Sequence, residues 1–300
     1  MTTPRTRPSY TVGLIGSGIG ASLSPALHEE EARHQGLALT YRLLDLDTLD
    51  AGIGDLPELL AWARKFGFRG LNVTHPCKQA VMASLDALSP HAKTIGAVNT
   101  VVFETDGRAV GHNTDWSGFA LNLRRSLPDA RRDRVVLVGA GGAGAAVAHA
   151  LLTEGTGRLT LVDADLQRAV ALADRLCAHF GADRATAAAP DAVPDLLANA
   201  DGMAHASPCG MTSRPGTAVD PSALHPGLWV AEVVYMPLHT ELLKHAEAAG
   251  CRTAHGGGMA VFQAADAFRL FTGMAPDATR MHEHLNQLVG SQDSRGSAGR

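Results

Sequence analysis

Two glycine-rich stretches restrict this chain more than any other feature. "GLIGSGIGASLSPALH" spans residues 13–28 and "VVLVGAGGAGAAVAHALL" spans residues 135–152. Each follows an apolar, strand-like run and leads into a helix-like segment. Each satisfies G-x-G-x-x-G/A, through Gly16, Gly18 and Ala21 in the first and Gly139, Gly141 and Gly144 in the second. A glycine turn between strand and helix opens a βαβ unit, so the chain is expected to build parallel sheets covered by helices. An acid follows each turn, Asp45 and Asp163, where a ribose-binding carboxylate would lie.

Only the second stretch passes directly into its helix. There a pyrophosphate can sit on the helix N-terminus while the third glycine lets helix and strand pack closely. Ala143, Ala145 and Ala146 keep that contact small, and Asp163 lies 19 residues beyond Gly144 (144 to 163). With Asp165 close by and no cation at Ala164, Asp163 would repel a 2′-phosphate; Arg168 offsets this only in part, so NAD is favoured over NADP. In the first stretch Pro25 is suited to the first helical position, which puts the N-cap at Ser24 and starts the helix after the glycines. Ser22 and Ser24 then stand beside a positive helix end, a setting that suits a small carboxylate, with a plain capping role for Ser24 as the bland alternative.

The remaining pattern divides the 300 residues into two α/β regions. Strands are expected at 11–15, 40–46 and 70–73, with helices at 25–35 and 56–66. A hairpin of 98–103 and 109–111 turns at Asp106-Gly107, and a helix starts at Thr114 or Asp115. The alternation restarts with strands at 135–138, 159–162, 200–206, 228–234 and 251–254. Helices are expected at 142–152, 166–179 and 241–249, and "GMAVFQAADAFRLFTG" closes as a long helix. A net charge of −4 without a basic stripe argues against nucleic acid. Four scattered cysteines without a C-x-x-C pair point to reduced thiols and a cytoplasmic setting, and no run is convincing as a membrane span. His28 and His34 are off metal-ligand spacing, and no catalytic metal is expected. Residues 290–300 are polar and Gly/Ser-rich and are expected to be a disordered tail.

Four more segments, "GLNVTHPCK", "GAVNTVV", "GHNTDWSGF" and "GMAVFQAADAF", resemble in order and spacing the signatures of the shikimate/quinate dehydrogenase family. "VDADLQRA" and "VVYMPLHTELL" resemble its NAD-using quinate/shikimate branch; the NADP-using enzymes typically carry Asn-Arg-Thr where this chain has Asp163-Ala164-Asp165. The resemblance implies a two-domain α/β fold. Residues 9–117 plus 262–289 would form a substrate domain with a mainly parallel sheet, and 118–261 a Rossmann domain for NAD, with a cleft between them. It implies reversible hydride transfer at the C3 hydroxyl of a cyclic polyhydroxy carboxylic acid. Lys78 would take the hydroxyl proton, with Asp115 as its partner. Ser22 and Ser24 would hold the substrate carboxylate, and Thr74, Asn99, Gln263 and Tyr235 would line the substrate's site. Gly139, Ala140, Gly141, Gly142, Ala143 and Gly144 would form the pyrophosphate loop, with Asp163 and Arg168 at the ribose and Met211, Val234, Gly258 and Met259 toward the nicotinamide side. A monomer or homodimer is expected.

Two departures stand out. His205-Ala206-Ser207-Pro208 replaces the Asn-Ala-Thr-Pro of many relatives, which makes His205 unusual. Ser24 stands where the NAD-using quinate branch often has Thr, and Ser is typical of shikimate-preferring members, so the preference between the two acids stays open. Two rival functions remain: a dehydrogenase of an amino analogue of the same acid, and a non-catalytic nucleotide-binding regulator. Assaying quinate, shikimate and amino analogues side by side separates the first. NAD binding without NADH formation from any such acid would identify the second.

Overall fold

The computed structural model describes residues 7–297. They form two compact units: the chain up to Thr114 together with Ala264–Gly290, and Asp115–Gln263. The resemblance implies these joints at 117/118 and 261/262.

In the first unit, strand β1 (Ser9–Gly16) leads to helix α1 (Ser24–His34), β2 (Ala38–Asp45), α2 (Leu56–Lys65), β3 (Phe68–Val73) and the short α3 (Cys77–Ala80). Strand β4 (Ala87–Leu88), α4 (Pro90–Ile95), β5 (Thr100–Phe103) and β6 (Ala109–His112) follow. The sheet order is β2-β1-β3-β5-β6-β4, with β1 parallel to β2 and β3, and β5 antiparallel to β3 and β6. The expected hairpin is β5–β6. One face of the sheet buries Ile15, Leu71, Val73, Val101 and Phe103 against Leu56, Leu60 and Ala63 around α2. The other buries Val12, Leu14, Tyr41 and Val102 against Ala267 and Phe271. This two-sided burial explains why β1 and β3 read as continuous apolar runs.

The second unit begins with α5 (Asp115–Ser126) and then alternates: β7 (Arg134–Val138), α6 (Gly142–Thr153), β8 (Arg158–Val162), α7 (Leu166–Phe180) and β9 (Ala185–Ala188). Next come α8 (Val193–Leu197), β10 (Gly202–His205), β11 (Trp229–Glu232), α9 (Glu241–Ala248) and β12 (Arg252–Ala254). All strands are parallel in the order β12-β11-β10-β7-β8-β9. The order reverses between β7 and β10, and nucleotides bind at that kind of switch point in open α/β sheets. Helix α10 (Gly256–Thr272) is divided between the units after Gln263, and α11 (Ala278–Ser297) ends the described chain.

Two local expectations are corrected. Ser24 is not the N-cap but the first residue of α1, with Leu23 in the cap position. The reason is that the Ser22 hydroxyl already accepts the Ser24 N–H at 3.3 Å, so the chain turns into the helix one residue early. The disordered tail expected from residue 290 is instead helical as far as Ser297, since extending a formed helix is far easier than starting one; residues 298–300 lie outside the described residues. Strands β4 and β9 had no sequence signal at all. Among the described residues, no helix is long and apolar enough to cross a membrane.

Candidate active site

At the C-terminal edge of the first sheet, main-chain bonds draw the sequence-singled residues of that unit together. The Ser17 N–H donates to the His75 carbonyl (3.0 Å) and the Thr74 N–H to the Ile15 carbonyl (2.9 Å), joining the turn after β1 to the turn after β3. Gly16 is required here, because a Cβ would overlap the Thr74 methyl and the His75 carbonyl. Thr74 accepts the Cys77 N–H at 2.8 Å, which starts α3 and sets half-buried Lys78 one residue along. The Lys78 carbonyl in turn accepts the Val98 N–H (2.8 Å), tying α3 to the segment carrying Asn99. Asn99 is buried, and its amide oxygen accepts the Thr114 N–H (2.7 Å) while its amide nitrogen donates to the Thr114 hydroxyl (2.9 Å). Asn99 therefore fixes the residue that precedes Asp115 in the chain. Cys77 is fully buried and its thiol is pushed up by desolvation, so it is a packing residue and not a thiolate.

The first glycine turn has no ribose-binding acid to spare. The Asp45 carboxylate accepts the N–H of Gly18 (3.0 Å) and of Ile19 (2.9 Å), so it holds the turn itself. Gly18 has φ +65°, the left-handed region that glycine occupies without strain. Ser22 and Ser24 remain half-buried at the start of α1, where the first-turn N–H groups lack helical acceptors.

The second turn has the tight glycine packing that a dinucleotide loop requires. A Cβ on Gly144 would overlap the Gly139 carbonyl, so only glycine lets α6 pack this close to the end of β7. Gly139 has φ +108°, and a Cβ there would press on Ala206 and the Ser207 nitrogen. A Cβ on Gly141 would meet nothing within 4 Å, so space is open at the N-cap of α6. Gly141, Gly142 and Ala143 stay half-exposed there, a positive helix end facing open space. The Asp163 carboxylate accepts the Ala140 N–H (2.7 Å), the Asp165 N–H (2.9 Å) and Arg168 Nη1 (3.3 Å). A carboxylate has about four acceptor positions, so one remains for a hydroxyl. Arg168 also pairs with Asp165 at 3.4 Å, and so its charge is shared by two carboxylates.

The other residues assigned to the second unit divide by role. Asp115 is buried and opens α5. Gly118 on that helix is pressed against the Gln263 backbone and the Met259 carbonyl, which brings α5 onto α10. Gln263 is half-buried and its amide nitrogen donates to the Ala260 carbonyl (3.0 Å). A Cβ on Gly258 would overlap the Asn122 amide, so Gly258 serves helix packing, and Met259 is buried beside it. Val234 and Tyr235 follow β11, and desolvation raises the Tyr235 phenol, keeping it neutral. Met211 is 40% exposed. Among the described residues, no group of three or more His, Cys, Asp or Glu could hold a metal ion.

Comparison with known proteins settles the family. Residues 14–101 match the shikimate dehydrogenase substrate binding domain, and residues 256–285 the shikimate 5′-dehydrogenase C-terminal domain. The chain is 62% identical over 286 residues to a shikimate dehydrogenase (NADP(+)) of Streptomyces avermitilis, covering 95% of this chain and 98% of the relative. This chain belongs to the shikimate/quinate dehydrogenase family of oxidoreductases. It is also 50% identical over 280 residues to a quinate/shikimate dehydrogenase (NAD(+)) of Corynebacterium glutamicum strain R, covering 93% of this chain and 99% of that one. The solved quinate dehydrogenase of Corynebacterium glutamicum in complex with NAD superposes with a TM-score of 0.89 at 48% identity, over 94% of this chain and 100% of the other. The family thus fixes a nicotinamide nucleotide as cofactor, while the names of these relatives divide between NAD and NADP.

One arrangement in this family member escaped sequence reasoning. His205 and Glu232 end neighbouring strands β10 and β11 and are direct register partners. His205 Nδ1 lies 2.8 Å from Glu232 Oε1 and its Nε2 lies 2.6 Å from the Ser207 hydroxyl, with both side chains fully buried. His205 was conspicuous as a departure, but Glu232 was not singled out. The available signal was that the apolar runs "GMAH" and "WVAE" each end in an ionisable residue.

Proposed function

We propose that this chain is an NAD-preferring shikimate/quinate dehydrogenase that reversibly oxidises the C3 hydroxyl of the ring acid. The observation that carries the cofactor preference is Asp163: a carboxylate at the end of β8 that holds the glycine turn, keeps one acceptor position for a ribose hydroxyl, and repels a 2′-phosphate. Arg168, shared between Asp163 and Asp165, leaves little positive charge for that phosphate. Bound at the switch point, the nicotinamide supplies the hydride acceptor.

The chain's own residues do the rest. Lys78 Nζ takes the proton of the C3 hydroxyl as the C–H bond breaks, and Asp115 is its charge partner in this reading. Ser22 accepts from the Ser24 main chain, so its own O–H is available to donate to the substrate carboxylate, together with the Ser24 hydroxyl and the positive end of α1. Thr74, Asn99, Gln263 and Tyr235 supply neutral donors and acceptors for ring hydroxyls; such sites discriminate because an unmatched buried polar group is costly. Asn99 contributes least freely, since Thr114 occupies its amide on both sides. We read the enzyme as cytoplasmic, in keeping with free Cys77, Cys177, Cys209 and Cys251.

The test is an assay of shikimate, quinate and their amino analogues with NAD, followed by NADH absorbance. Turnover of shikimate or quinate is expected. Turnover confined to an amino analogue, or none despite NAD binding, would replace this reading with one of the rival functions.

A further inference from the structure

The Glu232–His205–Ser207 chain lies wholly within the nucleotide-binding unit, and its hydrogen bonds order the protons around Glu232. Glu232 Oε1 accepts the N–H of Val233 (2.8 Å) and of Val234 (3.0 Å), and Oε2 accepts the Thr240 hydroxyl (3.1 Å). The Thr240 oxygen is itself the acceptor for the Leu243 N–H at the start of α9, so its proton goes to Glu232. Surrounded by donors, Glu232 is an acceptor at each contact. His205 Nδ1 must therefore carry the hydrogen it shares with Glu232. In the neutral ring this leaves Nε2 as a bare lone pair pointed at Ser207, 2.6 Å away, and the Ser207 hydroxyl must donate to it. The Ser207 oxygen also accepts the Cys209 N–H at 3.3 Å. With the ring neutral, its proton is committed and one lone pair remains.

The position of that lone pair matters. Ser207 follows β10, the strand beside β7 at the switch point, and its backbone abuts Gly139, the first glycine of the dinucleotide turn. Ser207 is half-buried, unlike its two buried supporters. A hydroxyl that can only accept is a poor partner for a phosphate, which offers only acceptors. It is a good partner for the donors of a nicotinamide riboside, the ribose hydroxyls and the carboxamide N–H.

We propose that a neutral His205, backed by Glu232, is a positioning residue that turns the Ser207 hydroxyl into a fixed acceptor for the nicotinamide riboside half of the dinucleotide. The proposal rests on the reading of this unit as the NAD site. Glu232 adds to the effect by fixing the backbone of Val233 and Val234 on the adjoining loop.

Titration calorimetry with NAD and with ADP, which lacks the nicotinamide riboside, tests this on the full chain. Ser207→Ala and His205→Phe should each weaken NAD about tenfold, as expected for one lost hydrogen bond, and leave ADP within about twofold. The double variant should lose no more than either single one, because His205 acts through Ser207. Equal losses for NAD and ADP, unchanged NAD binding, or additive losses would overturn the proposal. If His205→Phe does not fold, as judged by circular dichroism, Ser207→Ala alone carries the comparison of NAD with ADP. A wild-type chain that binds neither ligand would instead overturn the NAD reading of the unit, and this inference with it.

Discussion

Lowering the pH should destabilise the first unit through one side chain, His28. This residue sits on the inner face of α1 at 1% exposure, with ring centroids of Tyr41 at 5.0 Å and of Phe268 and Phe271 at 6.1 Å. Its Nδ1 has no hydrogen-bond partner. Burial without a counter-charge penalises the imidazolium and lowers the pKa from 6.5 to about 3. In the unfolded chain the same residue takes up a proton near pH 6.5, so below that pH the unfolded state holds more protons than the folded one. Stability contributed by neutral His28 is therefore fully present above pH 6.5 and falls as pH drops toward 3, by up to about 1.4 kcal/mol per pH unit. Between pH 8 and pH 5 the loss is about 2 kcal/mol. Replacing His28 by Leu keeps an apolar side chain of similar size and removes the titrating group. Urea unfolding of both proteins at pH 8, 7, 6 and 5, monitored by a signal from the first unit, measures the difference. The His28→Leu protein should gain on the wild type as pH falls, by about 2 kcal/mol at pH 5 relative to pH 8. Parallel pH profiles would refute the reasoning, because other groups titrate identically in both.

Other perturbations probe separate links. Lys78→Ala should lower kcat by roughly 10²–10⁴ with the fold retained, checked by steady-state rates and circular dichroism. Gly144→Ala forces a Cβ onto the Gly139 carbonyl and should abolish measurable NAD binding in calorimetry, whereas Gly141→Ala, whose Cβ meets no protein atom within 4 Å but enters the space proposed for the pyrophosphate, should keep the fold and weaken NAD binding. Arg280 binds the fully buried Glu31 carboxylate at 2.8 and 2.9 Å, fastening α11 to α1. Arg280→Ala should cost about 2–4 kcal/mol in chemical unfolding, less than a bare buried charge because Glu31 keeps the Asp277 and Gln35 N–H groups.

The sequence disclosed those parts of the fold whose causes are local. The β7–α6 turn was legible because a β-branched run, three glycines and a distal acid must coincide for backbone reasons. Strand β9, "ATAA", was not, since alanine carries no strand signal and only pairing with β8 makes it extended. Pro25 correctly separated the first glycine turn from its helix, but the Ser22 oxygen moved the cap by one residue. The two units share one device: Asp45 and Asp163 each bind the glycine turn of the neighbouring strand. Of the candidate site, the proposed residues stand out in the sequence through their motifs. The engagement of Asn99 by Thr114 and the packing role of Gly258 needed the tertiary contacts. The His205–Glu232 pair joins residues on two strands, and nothing near either one announces the other.

The central claim is that a carboxylate at the end of β8 selects NAD for a shikimate/quinate dehydrogenase. The most direct measurement is kcat/KM for NAD and for NADP on the wild-type enzyme with saturating shikimate, and again with quinate. The account predicts a higher value with NAD for whichever acid is turned over. A higher value with NADP would contradict it, and would mean that Arg168 leaves both carboxylates to meet the 2′-phosphate.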